Sequence, residues 1–572
     1  MELKSEPFNL PISFSPLKMK LSESIVNDLE LIKTADVSLP SIYGIILRST
    51  TNFGNNIVSK FAEYYTTDVP FLKDTQQLLR TYQEDGDDDT NEDDNKSMST
   101  LWSELKKETG FCEKYLYIDW EMGKFLNTHS SFLQVMSIYN ITSPIISFAL
   151  PLIILIVPFF IIHAKGLDIS TSEYISILKK IMENHAIGKL VLDFDEVSLS
   201  QKAYILFSTA LYVFSIYQNV LVCLRFYRNV IKINDTLKTM KTYISNTISR
   251  FESYITQTNK LTNYSEFNET VRNNCRALSE YNIQITELGT LDFSWKNIVN
   301  IGDRMKFFYH IYDSKECNDV IQYSFGMHGY LDTLVGLIQN IKEKHLSSAN
   351  FVENAKPVFT NAFYPALMNS ECIKNTCDFT KNVVLSGPNA SGKTTILKTS
   401  IINMILTQQF GYGCYESATI QPCKFIHCYL NIPDTSGRDS LFQAEARRCK
   451  DIIDIIEANP TENHFCAFDE LYSGTNPEDA IASSLAFMGY ISLNKNVSSI
   501  LTTHYNAVCR KLRKNDKMQN YHMKTIATGD DTFQYTYKLM KGISNIKGGT
   551  KVLTDLNYPS EIVKNMSSSL YK

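Results

Sequence analysis

The sequence predicts a C-terminal α/β domain with a mostly parallel sheet, preceded by an all-α region that two long apolar segments interrupt. After Lys356, short apolar runs (NVVLSG, FIHCYL, HFCAFDE, SSILTTH) alternate with helical stretches, which is typical of strands and helices in a parallel sheet. From about Ser97 to Ser348 the apolar residues recur instead with the period of amphipathic helices. A chain of 572 residues is too long for one compact fold, so we expect several structural units.

The overall composition indicates a globular chain without a bulk signature of nucleic-acid binding. Apolar residues make up 44% and charged residues 20%, which excludes a chain that is disordered throughout. Lys and Arg total 56 against 61 Asp and Glu, a net charge of −5, so any basic surface must be local. One small basic cluster is interpreted as a solvated helix face. Its members are Arg510, Lys511, Arg513, Lys514 and Lys517.

An acidic segment divides the N-terminal part of the chain. Residues 1–82 show helical periodicity and are interpreted as the first part of a helical core domain. Within residues 83–96, the run EDGDDDTNEDDN has eight carboxylates in twelve residues and no apolar residue, so we predict a solvated, disordered loop. The glycine and closing glutamate that a calcium loop needs are not at the required steps. The helical pattern resumes over 97–140.

Two apolar segments of 22 residues each contain no charged residue. The first begins at Ile141 and corresponds to about 33 Å of helix, which matches a hydrocarbon core of roughly 30 Å. We predict transmembrane helices over 141–163 and, although it holds more polar residues, over 203–224. Residues 164–202 would then form an extra-cytosolic loop. The alternative is a pair of buried core helices.

The charge beside the second apolar segment predicts how the hairpin is oriented. Residues 164–202 are nearly balanced in charge, whereas the segment after the second span is basic. Its basic residues are Arg225, Arg228, Lys232, Lys238 and Lys241. Because positive flanks stay in the cytosol, we expect an integral membrane protein with both termini cytosolic. The first 20 residues lack a continuous apolar stretch, so the first span would itself act as the insertion signal. Residues 225–355 are expected to be helical, and residues 356–572 to form the α/β domain.

Twelve cysteines are scattered along the chain, and no two form a CxxC pair. Several lie within apolar runs, as Cys466 does in HFCAFDE. We therefore expect reduced thiols that fill the core, rather than zinc ligands or disulfides.

The run GPNASGKTT carries the most specific chemical signal. It lies between the strand NVVLS and the helix TTILKTSIINMIL and satisfies the phosphate-loop pattern G-x-x-x-x-G-K-[ST]. Backbone N–H groups of such a loop turn toward phosphate oxygens, and the helix N-terminus adds positive charge. We expect Lys393 to reach the terminal phosphates of ATP and Thr394 to ligate Mg²⁺. The candidate phosphate-binding residues are Gly387, Asn389, Ser391, Gly392, Lys393, Thr394 and Thr395.

An acidic pair follows a second strand motif, HFCAFDE. We expect Asp469 to hold Mg²⁺ and Glu470 to orient or deprotonate the attacking water. Transfer of phosphate to a metabolite would not need this pair, so hydrolysis is the favoured reaction. His504 ends the next strand motif, ILTTH, and is a candidate sensor of the γ-phosphate.

Four motifs in this order resemble the MutS family of ATPases: GPNASGKTT, SGRDSLFQAEARR, FDELYSGTNPEDA and TTHY. The resemblance covers about Asn361 to Leu570 and implies an ABC-like ATPase domain. It extends weakly to the N-terminus, where DLELIKTADVSLPSIYGIIL is similar to the start of the MutS core domain.

The resemblance implies a homodimer in which two ATPase domains face each other. Gly437 and Ser440 of one subunit would complete the phosphate site of the other, and Glu445, one turn later, would face the same side as Ser440. Gly474 and Thr475 would lie along the interface.

Two aromatic residues are candidates to stack on adenine. The resemblance places Tyr537 beside the base and makes Tyr364 a weaker candidate. The alternative for both is a place in the core, where aromatic residues in strands usually lie.

Three departures from the family's mismatch-repair members favour its membrane-anchored subclass, which lacks the mismatch-reading domain. Only about 25 residues precede the core-like run, and the one weakly similar Phe-x-Glu, Phe61-Ala-Glu63, is interpreted as core helix. The apolar hairpin lies roughly where MutS proteins carry their DNA clamp. Tyr472-Ser473 stands where mismatch-repair members usually have Gly-Arg.

Two hypotheses about function remain open at the level of the sequence. The first is a membrane-anchored, dimeric ATPase that couples ATP hydrolysis to DNA binding, with mismatch reading in doubt. The second is an ATP-switched membrane scaffold or remodelling protein that does not bind DNA.

Overall fold

The computed structural model divides the chain into two compact units. Unit 1 comprises residues 1–86, 251–274 and 322–572, and unit 2 comprises residues 87–250 and 275–321. The residues that the structure describes are 8–36, 38–84, 88–166, 169–184, 199–290, 299–368, 370, 372–430, 440–527, 533–544, 553–554, 556–559, 561–563 and 565–566.

Helices dominate the first 342 residues. The α-helices are α1 (Glu23–Asp28), α2 (Ile42–Leu47), α3 (Asn52–Phe61), α4 (Val69–Thr81), α5 (Asp88–Lys107), α6 (Phe111–Tyr115), α7 (Ser130–Ala164), α8 (Thr171–Asn184), α9 (Leu199–Thr258), α10 (Ser265–Glu287), α11 (Ile301–Asp313), α12 (Lys315–Lys342), α13 (Lys393–Phe410), α14 (Leu441–Ala458), α15 (Pro477–Ile491) and α16 (Asn506–Leu512). Short 3₁₀ helices cover Pro11–Phe14, Glu121–Thr128, Thr262–Tyr264 and Pro365–Leu367.

The strands belong to unit 1. They are β1 (Lys18–Lys20), β2 (Tyr64–Thr66), β3 (Ser347–Phe351), β4 (Val358–Ala362), β5 (Asn375–Asp378), β6 (Asn382–Ser386), β7 (Tyr412–Gly413), β8 (Ser417–Ile420), β9 (Phe425–Tyr429), β10 (His464–Asp469), β11 (Val497–Thr503), β12 (Met518–Ala527) and β13 (Phe533–Lys541).

The main sheet of unit 1 confirms the predicted, mostly parallel α/β domain. Its strand order is β13-β12-β6-β11-β10-β9, and only the edge strand β13 runs antiparallel to its neighbour. The four apolar runs singled out in the sequence are β6, β9, β10 and β11. Every residue of β6 and β11 is buried, which explains why both read as continuous rather than alternating runs.

A second, mixed sheet has the order β5-β4-β8-β3-β7. Its strands have two to five residues, and periodicity did not predict them as a sheet. Strands this short carry too few alternations to be told from loops.

The helix that follows the glycine-rich loop is anchored at its far end. Gln408 and Gln409 are buried there; Gln409 Nε2 donates to the Phe61 carbonyl (2.6 Å), and the Tyr43 hydroxyl donates to Gln409 Oε1 (2.9 Å). The Phe61 ring packs 5.6 Å from that of Phe410. These contacts place Phe61, the last residue of α3, in the core of unit 1, whereas Glu63 is exposed.

In unit 2, α7 and α9 lie side by side and antiparallel. The Tyr212 hydroxyl donates to the Ser147 carbonyl (2.9 Å), and Cys223 Sγ donates to the Ile141 carbonyl (3.5 Å). Both helices are long and apolar enough to cross a membrane, judged by length and composition alone. They extend well beyond the predicted spans, to 35 and 60 residues, because the amphipathic sequences that flank each span continue the helical period.

The apolar surface of this helix pair is exposed rather than packed in a core. In the most apolar window of α9, 6% of the residues are buried. The exposed side chains on α7 include Ile145, Ile146, Phe148, Leu150, Ile153, Ile156, Val157, Phe160 and Ile161, and those on α9 include Tyr204, Leu206, Phe207, Leu211, Val213, Phe214, Tyr217, Val220, Leu221 and Leu224.

One loop prediction needs correction. The segment 83–96 was predicted as a disordered loop, but α5 begins within it at Asp88. Carboxylates at a helix N-terminus interact favourably with the helix dipole, and the buried Met98 and Trp102 stabilise the following turns, so charge density alone misled the prediction. The segment 164–202, predicted to connect the two spans outside the cytosol, contains α8, and its residues 167–168 and 185–198 lie outside the described part of the chain.

Candidate functional site

The glycine-rich loop connects the carboxyl end of β6 to the N-terminus of α13, as predicted. Ala390 and Gly392 have φ angles of 62° and 94°, in the left-handed region that favours glycine. A Cβ on Gly387 would lie 2.8 Å from Ser391 Oγ, so the first glycine lets the loop close on itself. At its outer side, the Tyr535 hydroxyl donates to the Asn389 carbonyl (3.0 Å).

Lys393, the first residue of α13, folds back into the loop. Its Nζ donates to the carbonyls of Gly387 (3.0 Å) and Pro388 (3.2 Å) and lies 3.7 Å from Glu470 Oε1. The side chain is 5% exposed, and this burial lowers its pKa. A buried ammonium held mainly by neutral carbonyls is poised to exchange these partners for an anion.

The acidic pair lies at the carboxyl end of β10, beside the loop. Thr394 Oγ1 donates to Asp469 Oδ2 (2.9 Å), and the Thr502 hydroxyl on the neighbouring strand β11 donates to Asp469 Oδ1. The loop-to-helix junction and the end of β10 therefore bring Thr394 and Asp469, both predicted to hold Mg²⁺, into direct contact. Thr502 was missed, because its position emerges only from the register that pairs it with Asp469 across the sheet.

Glu470 occupies a strained backbone position and is held by three neighbours. Its φ is 50°, and its N–H donates to the Thr502 carbonyl (3.1 Å). Its carboxylate oxygen Oε1 lies 3.5 Å from His504 Nδ1. The hydrogen bond from His504, with a further contribution from the Lys393 charge, lowers the pKa of Glu470, so the side chain is ionised at neutral pH.

A cleft of about 660 Å³ opens over the loop, a volume within the range of small-molecule sites. Five of the seven predicted phosphate-binding residues line it, together with both acidic residues. These residues are Asn389, Gly392, Lys393, Thr394, Thr395, Asp469 and Glu470. One wall is apolar and includes Phe363, Leu367 and Ile373.

Both aromatic candidates line this cleft. Tyr537 is 46% exposed, and a Cβ on Gly392 would lie 3.2 Å from its ring atom Cδ1, so the ring lies against the loop and not in the core. Tyr364 is half-buried on the opposite, apolar side, where burial raises its pKa.

Two observations show that the loop suits a ligand rich in acceptor oxygens together with a divalent cation. Ser391 Oγ is buried and has no hydrogen-bond partner in the described part of the chain, so a bound oxygen would satisfy it. Thr394 Oγ1 and Asp469 Oδ2 offer adjacent oxygen ligands of the kind that Mg²⁺ prefers. No group of three or more His, Cys, Asp or Glu side chains among the described residues is arranged to hold a metal, so most ligands of such an ion would come from water and substrate.

Ser440, one of the two residues predicted to act in trans, lies at the N-terminus of α14 and does not line the cleft. Ser440 is the exposed N-cap of this helix: its Oγ accepts from the Gln443 N–H (3.4 Å), and its own N–H donates to Gln443 Oε1 (2.9 Å). Gly437 lies outside the described residues.

Glu445 does not face the same side as Ser440, which corrects the expectation from the sequence. Five helical residues rotate a side chain by about 500°, so Glu445 points well away from Ser440. It is 2% exposed, and its Oε1 accepts from the Ser473 N–H (3.1 Å). Gly474 packs against the same helix, since a Cβ there would lie 2.6 Å from Leu441 Cγ.

The cysteines lie mostly in the core, as expected, whereas the basic cluster is not one helix face, because Arg513, Lys514 and Lys517 follow the end of α16. All twelve cysteines are free thiols, and nine of them are buried. The basic residues around α16 are exposed on the surface of unit 1; they are Arg510, Lys511, Arg513, Lys514 and Lys517.

Fold and site together define an α/β domain in which a glycine-rich loop and an acidic pair lie side by side and line one ligand-sized cleft. Residues 383–572 match the family model described as MutS domain V. The C-terminal third of the chain is therefore similar to MutS domain V.

Curated relatives match the same region. The chain is 23% identical over 249 residues to the DNA mismatch repair protein MutS of Persephonella marina, which covers 42% of this chain and 28% of that protein. It is 25% identical over 231 residues to the Endonuclease MutS2 of Staphylococcus epidermidis, covering 40% of this chain and 28% of that protein. A third relative, the DNA mismatch repair protein MutS of Acholeplasma laidlawii, is 26% identical over 190 residues, or 33% of this chain and 22% of that protein. The chain thus spans less than a third of the length of these relatives.

Proposed function

We propose that this chain is a membrane-anchored ATPase of the MutS type that binds and hydrolyses ATP with Mg²⁺. The observation that carries the proposal is the convergence of Lys393, Thr394, Asp469 and Glu470 on one cleft, with Glu470 Oε1 3.7 Å from Lys393 Nζ and Thr394 bonded to Asp469. Each group is of the type that hydrolysis of the phosphoanhydride bond of ATP requires.

In this proposal each residue of the cleft has its own role in binding or hydrolysing ATP. Lys393 gives up its carbonyl partners to bind terminal phosphate oxygens, while Ser391 and the loop N–H groups bind the others. Thr394 and Asp469 would hold Mg²⁺, which supplies charge neutralisation on the phosphates when bound. Glu470, ionised because of its lowered pKa, orients the attacking water and accepts its proton, and His504 holds the carboxylate in place. Tyr537 is proposed to stack on adenine.

Exposure of the apolar helix pair supports the membrane anchor. Core helices of a soluble protein are mostly buried, whereas α7 and α9 present a continuous exposed apolar surface of a size that water-soluble surfaces rarely carry. At one end of this surface, the exposed Tyr139, Arg225, Tyr227 and Arg228 lie at the level of the Cys223–Ile141 contact. Tyrosines and arginines are enriched at the cytosolic boundary of a bilayer, so this level is the proposed membrane surface.

A homodimer is proposed from the family resemblance. Ser440, exposed at the N-terminus of α14, is available to a facing subunit, and with Gly437 it would complete that subunit's phosphate site. Gly474 and Thr475 would border the interface. Mixing Ser440→Ala subunits with Lys393→Ala subunits tests this arrangement: one intact composite site per mixed dimer should restore part of the activity that each variant lacks alone.

Coupling to DNA is the favoured version of this proposal, because the matched relatives are a DNA mismatch repair protein and an endonuclease. The alternative is an ATP-switched membrane scaffold without DNA binding, which the net charge of −5 and the exposed apolar helices favour.

DNA-stimulated ATP hydrolysis separates these versions. The detergent-solubilised full chain is assayed with Mg²⁺ and ATP, alone and with duplex, forked or mismatched DNA, at two salt concentrations. Stimulation of turnover, with retention on DNA that weakens at higher salt, would support DNA coupling. If no DNA changes the turnover and the chain is not retained on DNA, the scaffold version is supported instead. If the chain does not hydrolyse ATP at all, the proposed ATPase activity is refuted.

A further inference from the structure

A strained turn connects Glu470 to the N-terminal half of α14. The turn comprises residues 470–474, and both Glu470 and Tyr472 have positive φ angles, of 50° and 57°. Side chains other than glycine adopt this conformation at a cost, so the turn persists only where its surroundings hold it. In this turn Tyr472 stands in a backbone conformation that glycine would adopt without strain.

The buried carboxylate of Glu445 makes three of the hydrogen bonds that keep this turn in place. Glu445 Oε1 accepts from the N–H of Ser473 (3.1 Å) and from its hydroxyl (3.0 Å), and Oε2 accepts from the Gly474 N–H (3.1 Å). A carboxylate that is 2% exposed and bonded to two successive backbone N–H groups fixes the position of that backbone. Tyr429 holds the preceding residue, since its hydroxyl accepts from the Tyr472 N–H (3.4 Å).

The remaining contacts leave the turn little freedom to move. Gly474 lies against Leu441, the first residue of α14, closely enough that even a methyl group would clash. On the other side, the Ser484 hydroxyl donates to the Leu471 carbonyl (3.2 Å), and the Glu470 N–H is held by β11. The carboxylate of Glu445 thus hydrogen-bonds α14, whose N-cap is Ser440, to the turn that begins at Glu470.

We infer that Glu445 is a positioning residue for the hydrolysis step. Through the 470–474 turn it holds the Glu470 carboxylate in reach of the water that attacks the terminal phosphate, and it makes the turn move as one body with the N-terminus of α14. The inference rests on the proposed ATPase function and adds a residue that does not itself line the cleft.

Glu445→Gln is the perturbation of choice because it keeps the size of the side chain. An amide has one acceptor oxygen and one NH₂ donor, so in either orientation the NH₂ faces a backbone N–H of Ser473 or Gly474. The turn must then shift, and displacements of about 1 Å in a catalytic group cost roughly 100-fold in rate. We expect kcat for ATP to fall at least about tenfold, while KM stays within about threefold because the phosphate contacts are intact.

A double-variant comparison distinguishes positioning from general structural damage. If Glu445 acts through Glu470, then Glu445→Gln lowers single-turnover hydrolysis in the wild-type background and causes no further loss in a Glu470→Gln background. A structural defect would lower both by the same factor. Glu457→Gln is the matched control, an exposed glutamate on the same helix that bonds Tyr490 at the surface, and it should leave kcat unchanged.

The test uses the full chain in detergent, with thermal unfolding of each variant measured alongside. The inference is supported if Glu445→Gln lowers kcat at constant KM and causes no further loss in the Glu470→Gln background. It is overturned if a folded Glu445→Gln protein has the wild-type kcat, or if the loss is equal in both backgrounds. If Glu445→Gln does not fold, Ser473→Ala removes one of the three bonds, and an unchanged kcat there overturns it too. A wild-type chain that does not hydrolyse ATP refutes the proposed function, whereas active wild type with an unaffected Glu445→Gln refutes this inference alone.

Discussion

Substitution of Phe214 by arginine tests whether the exposed apolar surface of α9 faces lipid or water. Phe214 lies near the middle of the predicted span 203–224 and is 57% exposed, next to the exposed Val213. If this surface faces water, an arginine there changes stability by no more than about 0.5 kcal/mol. If it faces lipid, an arginine at the centre of a span raises the free energy of insertion by about 2.5–3.5 kcal/mol. That difference corresponds to roughly a 100-fold change in the insertion equilibrium.

The assay follows which side of the membrane the C-terminal region occupies, using the chain's own glycosylation acceptors. Asn263-Tyr-Ser265 and Asn496-Val-Ser498 lie after the second span. In microsomes, a wild-type hairpin keeps these acceptors cytosolic and unmodified. When the second span fails to insert, the region behind it is translocated and modified, so Phe214→Arg should raise the ratio of modified to unmodified chain by up to about 100-fold.

Two controls make the result decisive. Phe214→Leu keeps the apolar surface and should behave as wild type, and Leu493→Arg introduces the same charge at a 67% exposed site of unit 1 and should also leave the chain unmodified. A wild-type chain that stays in the soluble fraction, or a Phe214→Arg chain as unmodified as wild type, would refute the membrane assignment of α9.

Three further predictions concern the C-terminal α/β domain. Lys393→Ala removes the ammonium that bonds the Gly387 and Pro388 carbonyls, and we expect ATP binding, measured by fluorescent-nucleotide titration, to weaken by about 10–100-fold; unchanged affinity would exclude Lys393 from the phosphate site. Gly474→Ala places a Cβ 2.6 Å from Leu441 Cγ, and we expect a loss of about 1–3 kcal/mol in unfolding free energy in denaturant titrations, against no loss for Gly489→Ala, where nothing lies within 4 Å. His427 is buried against His464 (Nε2 to Nδ1, 3.1 Å), and burial lowers its pKa to about 3, so the neutral form is the one that folds. Its stabilisation is complete above the unfolded pKa near 6.5 and is lost as pH falls, by about 1.4 kcal/mol per pH unit between 6 and 4; a His427→Leu chain with the same pH slope as wild type would contradict this.

Local sequence determined the centre of the site. The order strand, glycine-rich loop, helix is contiguous in the chain, and parallel strands must end at the same edge of the sheet, so Thr394, Asp469, Glu470 and His504 were expected together. The structure places Thr394 on Asp469 and His504 beside Glu470. These groups lie close to the chain's strongest patterns, and little tertiary information was needed to group them.

The parts that the sequence did not predict depend on packing between distant segments. Thr502 reaches Asp469 only through strand register, and Glu445 reaches Ser473 only because α14 packs beside the end of β10. The prediction for the acidic start of α5 was wrong for a different reason. Eight carboxylates suggested a solvated loop, but the apolar residues that stabilise the helix come one turn or more later in the chain. A signal for Glu445 was nevertheless present, since a glutamate on the inner face of an amphipathic helix requires buried hydrogen-bond donors.

The most direct test of the central claim is Mg²⁺-dependent ATP turnover by the full chain, compared between wild type and Glu470→Gln. The wild-type chain should hydrolyse ATP, and Glu470→Gln should still bind it while turning it over at least about 100-fold more slowly, because the carboxylate that accepts the proton is gone. Equal turnover in the two proteins, or the absence of turnover in folded wild type, would contradict the assignment of this cleft as an ATP-hydrolysing site.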